Sequence, residues 1–218
     1  MSLLEFARGP AMEWALMIFM AGIAWRLSGT FLLRRNRDLS TVRHGASGAG
    51  GALYTVATRN FPRREFVAST AFTHIAGYTM HIGIAIVVFG FIPHILFFKD
   101  LIGLGWAGLS TNLVEIAAVF AIAAMAAQML RRLFHPVLRA ISTPDDYLSW
   151  LITLLPLITG VAAHDHWVTD YEMMLALHLL SVELLMVWTP FSKLLHGAWI
   201  LPSRAQLGSA FGRRGVRI

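Results

Sequence analysis

The chain has 218 residues, of which 56% are apolar and 14% charged, with no cysteine, and its mean hydropathy is +0.62. Soluble domains carry about 45–50% apolar and roughly 25% charged residues, so this chain has too little polar surface to face water, and a lipid bilayer is its expected solvent. The lack of cysteine excludes a disulfide framework, a thiolate zinc site, an iron–sulfur cluster and CxxCH haem attachment, while the excess of 18 Lys+Arg over 12 Asp+Glu flanks apolar runs and so points to membrane orientation, not to nucleic acid.

Apolar runs of about 20 residues, long enough to cross a roughly 30 Å hydrocarbon core, occur at Ala11 to Leu33, His74 to Phe98, Leu113 to Leu130, Tyr147 to Ala163 and Met173 to Leu195. The expected fold is all-α, an integral membrane bundle of five transmembrane helices. The first run lacks a basic leading segment and a small-residue cleavage site, so it reads as a retained helix. After it come Arg34, Arg35, Arg37, Arg43, Arg59, Arg63 and Arg64 against only Asp38 and Glu65, which marks residues 34–65 as a cytoplasmic loop. Within this loop Gly45-Ala46-Ser47-Gly48-Ala49-Gly50-Gly51 reads as flexible, too rich in glycine to hold a helix. Arg131, Arg132 and Arg139 follow the third run, and Arg204, Arg213, Arg214 and Arg217 fill the tail. All three clusters agree on an N-terminus outside and a C-terminus in the cytoplasm, with spans two and five antiparallel. Residues 1–203 then form one five-helix domain and 204–218 a basic cytoplasmic tail. No internal repeat suggests a transporter of duplicated halves.

Five of the nine histidines, His74, His81, His94, His178 and His196, lie in or at the ends of spans two and five. Ionisable groups in hydrocarbon are costly and usually face the bundle interior with a partner or a function. Such a set suggests two b-type haems, each held by two imidazoles from facing helices. On an ideal helix His178 and His196, 18 residues apart, share one face about 27 Å apart along the axis. His81 and His94, 13 residues apart, are separated by about 19.5 Å of rise. Antiparallel packing would pair His81 with His196 towards the cytoplasm and His94 with His178 towards the outside. On a straight helix His94 would point about 140° away from His81, and Pro93 is the residue that could bend the chain and re-aim it. His74, seven residues before His81 on the same face, is the alternative inner ligand.

At these residues the sequence resembles the gamma subunit family of respiratory nitrate reductases, dihaem cytochrome b membrane subunits. The last span carries the most specific likeness, His178-Leu179-Leu180 followed by Thr189-Pro190-Phe191-Ser192-Lys193-Leu194-Leu195-His196. Met80-His81-Ile82-Gly83-Ile84, Leu130-Arg131-Arg132-Leu133-Phe134-His135-Pro136 with Arg139-Ala140 and Thr143, and Ala24-Trp25-Arg26-Leu27 also resemble family segments. The turn Ser142-Thr143-Pro144-Asp145-Asp146-Tyr147 and the short outer loops look more like relatives serving sulfur-metabolism and heterodisulfide-reductase-like complexes. The resemblance implies an electron-transfer subunit of an oxidoreductase complex in a bacterial or archaeal cytoplasmic membrane. Such a subunit exchanges electrons between quinone or quinol and a cytoplasmic-side iron–sulfur subunit, through two non-covalent b haems on His81, His94, His178 and His196, within a complex of further catalytic subunits.

Glu115 and Glu183 are carboxylates within spans. Glu115 is a candidate proton acceptor at a quinone site, weighed evenly against a neutral acid bonded to a neighbouring helix, and the second reading is preferred for Glu183. Arg26 suits a side chain reaching the interface or a partner for a haem propionate. His164 and His166, flanking Asp165, form a minor surface-metal candidate, and His44 and His135 are expected in water. Two readings from other classes remain, a transporter or proton channel using the intramembrane His and Glu, and a structural anchor without haem. The first would need a polar stripe through several spans, of which spans three and four offer almost none.

Overall fold

A computed structural model describes residues 1–32, 39–167 and 170–216. Arg34, Arg35, Arg37 and Asp38 of the arginine-rich loop, and Arg217 of the tail, lie outside the described residues. Among the described residues there are helices and no strands. Five segments are long and apolar enough to cross a membrane, Leu3–Leu32, Arg64–Gly90, Thr111–Phe134, Pro144–His164 and Tyr171–Phe191, and the chain is a multi-pass membrane protein.

We number the helices α1 (Leu3–Leu32), α2 (Gly48–Thr58), α3 (Val67–Gly90), α4 (Ile92–Ile102), α5 (Thr111–Phe134), α6 (Pro144–His164), α7 (Tyr171–Trp188) and α8 (His196–Arg213). α1 opens on a capping box in which the Glu5 amide donates to the Ser2 hydroxyl and the Ser2 amide to the Glu5 carboxylate. A π-helical turn at Ala7–Ala11 carries Pro10, whose missing N–H disturbs the regular ladder.

The second expected span is two helices. α3 stops at Gly90, Phe91 is extended (φ −78°, ψ 126°), and α4 starts with Pro93 in its first turn. Proline is tolerated there because the first amides of a helix have no partner inside it. α4 ends at Gly103, whose left-handed φ of +75° lets its N–H donate to the Lys99 carbonyl. The return segment is tied to α3 by Leu109 N–H on Gly90 O and the Trp106 indole N–H on Phe89 O.

The fifth expected span is also interrupted. α7 ends at Trp188, the 3₁₀ turns Thr189–Phe191 and Lys193–Leu195 follow, and His196 opens α8. Pro190 accounts for the stop, because it has no N–H to donate to the ladder of α7. His178 and His196 are therefore not on one continuous helix, and the straight-helix count behind their expected shared face and 27 Å separation does not apply across this break.

The chain divides into two compact units, residues 1–19 with 71–188 and residues 20–70 with 189–218. In the first, Ala121, Met125 and Leu157 are buried under Met80, Ile84, Ile122, Trp150 and Leu154. α5 buries a small-residue face (Val114, Ala117, Ala118, Ala121, Ala124) and exposes Ile116, Val119 and Phe120, the inverse of a helix in water, because lipid solvates large apolar side chains and small ones let helices approach. Gly83 of α3 lies against Ala121 and the Ala117 carbonyl, where a methyl group would overlap. α6 starts on a capping box, Thr143 with Asp146, and Arg132 reaches both Asp146 (3.5 Å) and the Ser142 hydroxyl (2.8 Å).

In the second unit the glycine run expected to stay a flexible loop is helical from Gly48, capped by the Ser47 hydroxyl on the Gly50 amide. Glycine in a helix costs about 1 kcal/mol relative to alanine, and here backbone packing offsets it. Gly51 meets Gly208 and Gly212 of α8 with no room for a Cβ, and Thr55, buried, sits over Gly208. The Arg43 amide donates to Arg213 O, and Arg204 hydrogen-bonds Asn60.

Candidate histidine centre

The break at Phe91 gives His94 its aim. Its Nδ1 lies 2.9 Å from the carbonyl of Val87 in the last turn of α3. A carbonyl can only accept, so Nδ1 carries the proton and, in the neutral ring, Nε2 keeps a lone pair. Phe91 meets the ring edge-on, with centroids 5.3 Å apart at 84°.

His178 of α7 faces it. The two imidazoles are near parallel, 16° between planes, with centroids 6.1 Å apart. That separation lies within the range of offset aromatic ring pairs. It matches two imidazoles on opposite sides of one metal, whose bonds of about 2 Å put ring centres roughly 6 Å apart.

α6 holds the second ring in place. The Thr159 hydroxyl donates to the Leu155 carbonyl (2.8 Å), the Ser181 hydroxyl donates to the His178 carbonyl (2.7 Å), and Thr159 Oγ1 lies 3.2 Å from His178 Nδ1. With both hydroxyl protons used, Thr159 Oγ1 accepts the Nδ1 proton, and His178 likewise keeps its Nε2 lone pair. Gly160 is the other half of the seat, since a Cβ there would stand 3.0 Å from His178 Cε1. These residues would suit a pair of metal ligands, since both rings are anchored at Nδ1 and each keeps an Nε2 lone pair.

His81 and His196 belong to different compact units, and each has its own anchor. His81 Nδ1 is 2.7 Å from the Gly77 carbonyl and His196 Nδ1 is 2.9 Å from the Lys193 carbonyl, which again fixes the proton on Nδ1. His135 does the opposite, its Nδ1 accepting the Leu138 amide at the start of the short helical turn Pro136–Ala140. His74 is half-buried with Tyr78 beside it, centroids 6.4 Å apart. His44 and Arg26 are exposed.

Glu115, in the second turn of α5, is bound by His164 Nε2 at 2.9 Å from the end of α6, with side chains 44% and 36% exposed. Phe91 joins this pair to the histidine centre, its ring meeting His164 edge-on at 5.4 Å as well as His94. Glu183 is 5% exposed, and its Oε1 has no hydrogen-bond partner among the described residues. The neighbour expected to hydrogen-bond Glu183 is therefore not found at that oxygen.

The sequence reading passed over Thr159, Gly160 and Phe91. A Thr-Gly pair in the middle of an apolar span was the available signal, since neither residue favours a lipid-facing helix by itself. A line of polar side chains does run along the α6–α7 contact, with Ser149 accepting from the Trp188 indole (2.9 Å) and Thr159 beside Ser181 (3.0 Å), so span four is more polar on its buried face than expected.

A protein of Nitratidesulfovibrio vulgaris strain Hildenborough, described only as "Protein", is 27% identical over 216 residues, covering 96% of this chain and 94% of that protein. No family model and no solved structure matches the chain.

Proposed function

We propose that the chain is the membrane-anchoring cytochrome b subunit of a respiratory oxidoreductase complex, exchanging electrons between the quinone pool and a cytoplasmic-side iron–sulfur subunit. The observation that carries this reading is the His94–His178 pair, two near-parallel imidazoles 6.1 Å apart, each anchored at Nδ1. His94 and His178 hold one b haem on this reading, and the resemblance supplies His81 and His196 as the ligand candidates for a second. When bound, the haems supply one-electron transfer between a two-electron quinol and an iron–sulfur partner.

The chain's own residues do the rest. Val87 and Thr159 hold each ring so that Nε2 is presented, which raises its basicity as a ligand. Gly160 leaves room for the His178 ring, and Phe91 screens His94. The Glu115–His164 pair, half-exposed beside this end of the bundle, accepts the protons a quinol loses and passes them to water. The arginines at the far end of α5 and along residues 39–65 and 204–216 give the N-outside, C-cytoplasmic orientation by the positive-inside rule and offer positive charge to the iron–sulfur partner. The resemblance to nitrate reductase gamma subunits, and to relatives in sulfur-metabolism complexes, supports the same role in a bacterial or archaeal cytoplasmic membrane.

Pyridine haemochrome analysis of the purified chain is the test. Two non-covalent b haems per chain are expected. A chain with no haem overturns the reading and leaves a structural anchor or a transporter, and one haem removes either the His94–His178 or the His81–His196 assignment.

A further inference from the structure

The sequence placed His164 and His166 together as a minor surface-metal candidate, and the structure separates them. His166 takes a left-handed φ of +51° and its ring lies on Tyr171, with centroids 5.2 Å apart. Glu115 of α5 comes instead to His164 and Asp165 at the end of α6, and one ligand atom from each of the three lies within 4.8 Å of the others. We propose that Glu115, His164 and Asp165 bind a divalent transition metal of the zinc class, clamping the start of α5 to the end of α6 and, while bound, withdrawing Glu115 and His164 from the proton acceptance assigned to them above.

The donor set argues for that class. One imidazole and two carboxylates neutralise a doubly charged ion. The imidazole disfavours magnesium and calcium, which take oxygen ligands, and the absence of thiolate disfavours cuprous copper. Bonds of about 2.0–2.2 Å to nitrogen and oxygen require ligand atoms roughly 3–3.5 Å apart. The 2.9 Å between His164 Nε2 and Glu115 Oε1 needs only a small opening of that contact. Three protein ligands leave a fourth position for water, and the exposure of both side chains gives an ion a path in.

The contact as it stands contributes little by itself, since an ion pair this exposed is worth about 0–1 kcal/mol, yet it joins residues 49 apart in sequence. Phe91 fixes the His164 ring from the side at 88°, as a ligand that must hold one orientation requires. A metal needs the Nε2 lone pair, so the proton there must move to Nδ1 or, from a doubly protonated ring, leave to water, and protons compete with the ion for all three ligands. Affinity should therefore weaken as pH falls.

The test uses the detergent-purified full chain with its haem complement and without an affinity tag. Equilibrium dialysis against Zn²⁺ should give one tightly held zinc per chain, with a rise in melting temperature that Mg²⁺ does not give. Glu115→Gln, Asp165→Asn and His164→Gln should each weaken zinc binding by about tenfold or more and abolish the rise, while haem content stays unchanged. His166→Gln should leave zinc binding as it was. Zinc bound equally by the Glu115→Gln and His164→Gln variants, or lost in His166→Gln, would overturn the proposal, as would no binding at all.

Discussion

Helices α6 and α7 close on each other through side chains that hydrogen-bond across the contact, Thr159 with His178 and Ser149 with Trp188. Helices α2 and α8 close backbone to backbone, with Gly51 against Gly208 and Gly212. Both contacts depend on glycine, for different ends. Gly160 leaves the space of one methyl group, and the His178 imidazole occupies it. Around Gly51 and Gly208 the space is taken by the other helix's main chain. The first arrangement holds a functional ring at a fixed angle, and the second only joins two helices. At these two contacts the glycine's partner decides whether it seats a side chain or a backbone.

Removing a ring should break that difference most. His178→Ala and His94→Ala should each take the haem content from two per chain to one, and the remaining haem should be the same in both variants by its reduced absorption band. His81→Ala and His196→Ala should leave the complementary one. Loss of both haems from a folded His178→Ala chain would mean that the two centres are not independent.

Gly208→Val comes next. It places three carbons where a single Cβ already overlaps Gly51 O and Thr55, and overpacking of this kind costs about 1–3 kcal/mol. Residues 48–58 should become open to limited proteolysis, while the haem bound by His94 and His178 keeps its spectrum. A spectrum that changes with Gly208 would contradict the separate roles assigned to the two contacts.

Gly160→Ala and Thr159→Val should act on the ring and not on folding. The added methyl group must push His178 by a few tenths of an ångström. The lost hydroxyl removes a hydrogen-bond partner of Nδ1, a change that around other metal centres lowers affinity 10–100-fold. Both should shift the midpoint potential of one haem and raise its loss during purification, and Thr159→Ser, which restores the hydroxyl, should recover the native behaviour. Equal shifts at both haems would show that Thr159 does not act through His178.

The five apolar segments and the helical fold were legible because each rests on local chemistry, namely apolar length and proline in the chain. Pro93 was read for its effect on backbone, and the break lies beside it, at Phe91. Pro190 was not, so a straight-helix count was carried from His178 to His196 across a residue that ends the helix. The helix at Gly48–Thr58 was illegible for another reason. Its stability comes from α8, some 150 residues later in the chain, and intrinsic propensity argues against it. Thr159, Gly160 and the pairing of Glu115 with His164 likewise depend on which helix faces which, and no local pattern reports that.

The smallest expected effect is that of His74→Ala, which should leave both haems in place. His74 and His81 are two helical turns apart on one face of α3, about 10.5 Å along its axis, so one centre can draw on only one of them. His81 has its Nδ1 fixed on the Gly77 carbonyl at 2.7 Å, the same anchoring found at His94 and His196, and such an anchor fixes tautomer and ring angle before a metal arrives. His74 is half-buried beside Tyr78, so its loss should cost packing and a few degrees of melting temperature, with the haem-to-protein ratio unchanged. If His74→Ala loses a haem and His81→Ala keeps two, the ligand lies two turns nearer the start of α3. The dihaem reading would survive that result, and the choice of His81 as the ligand would not.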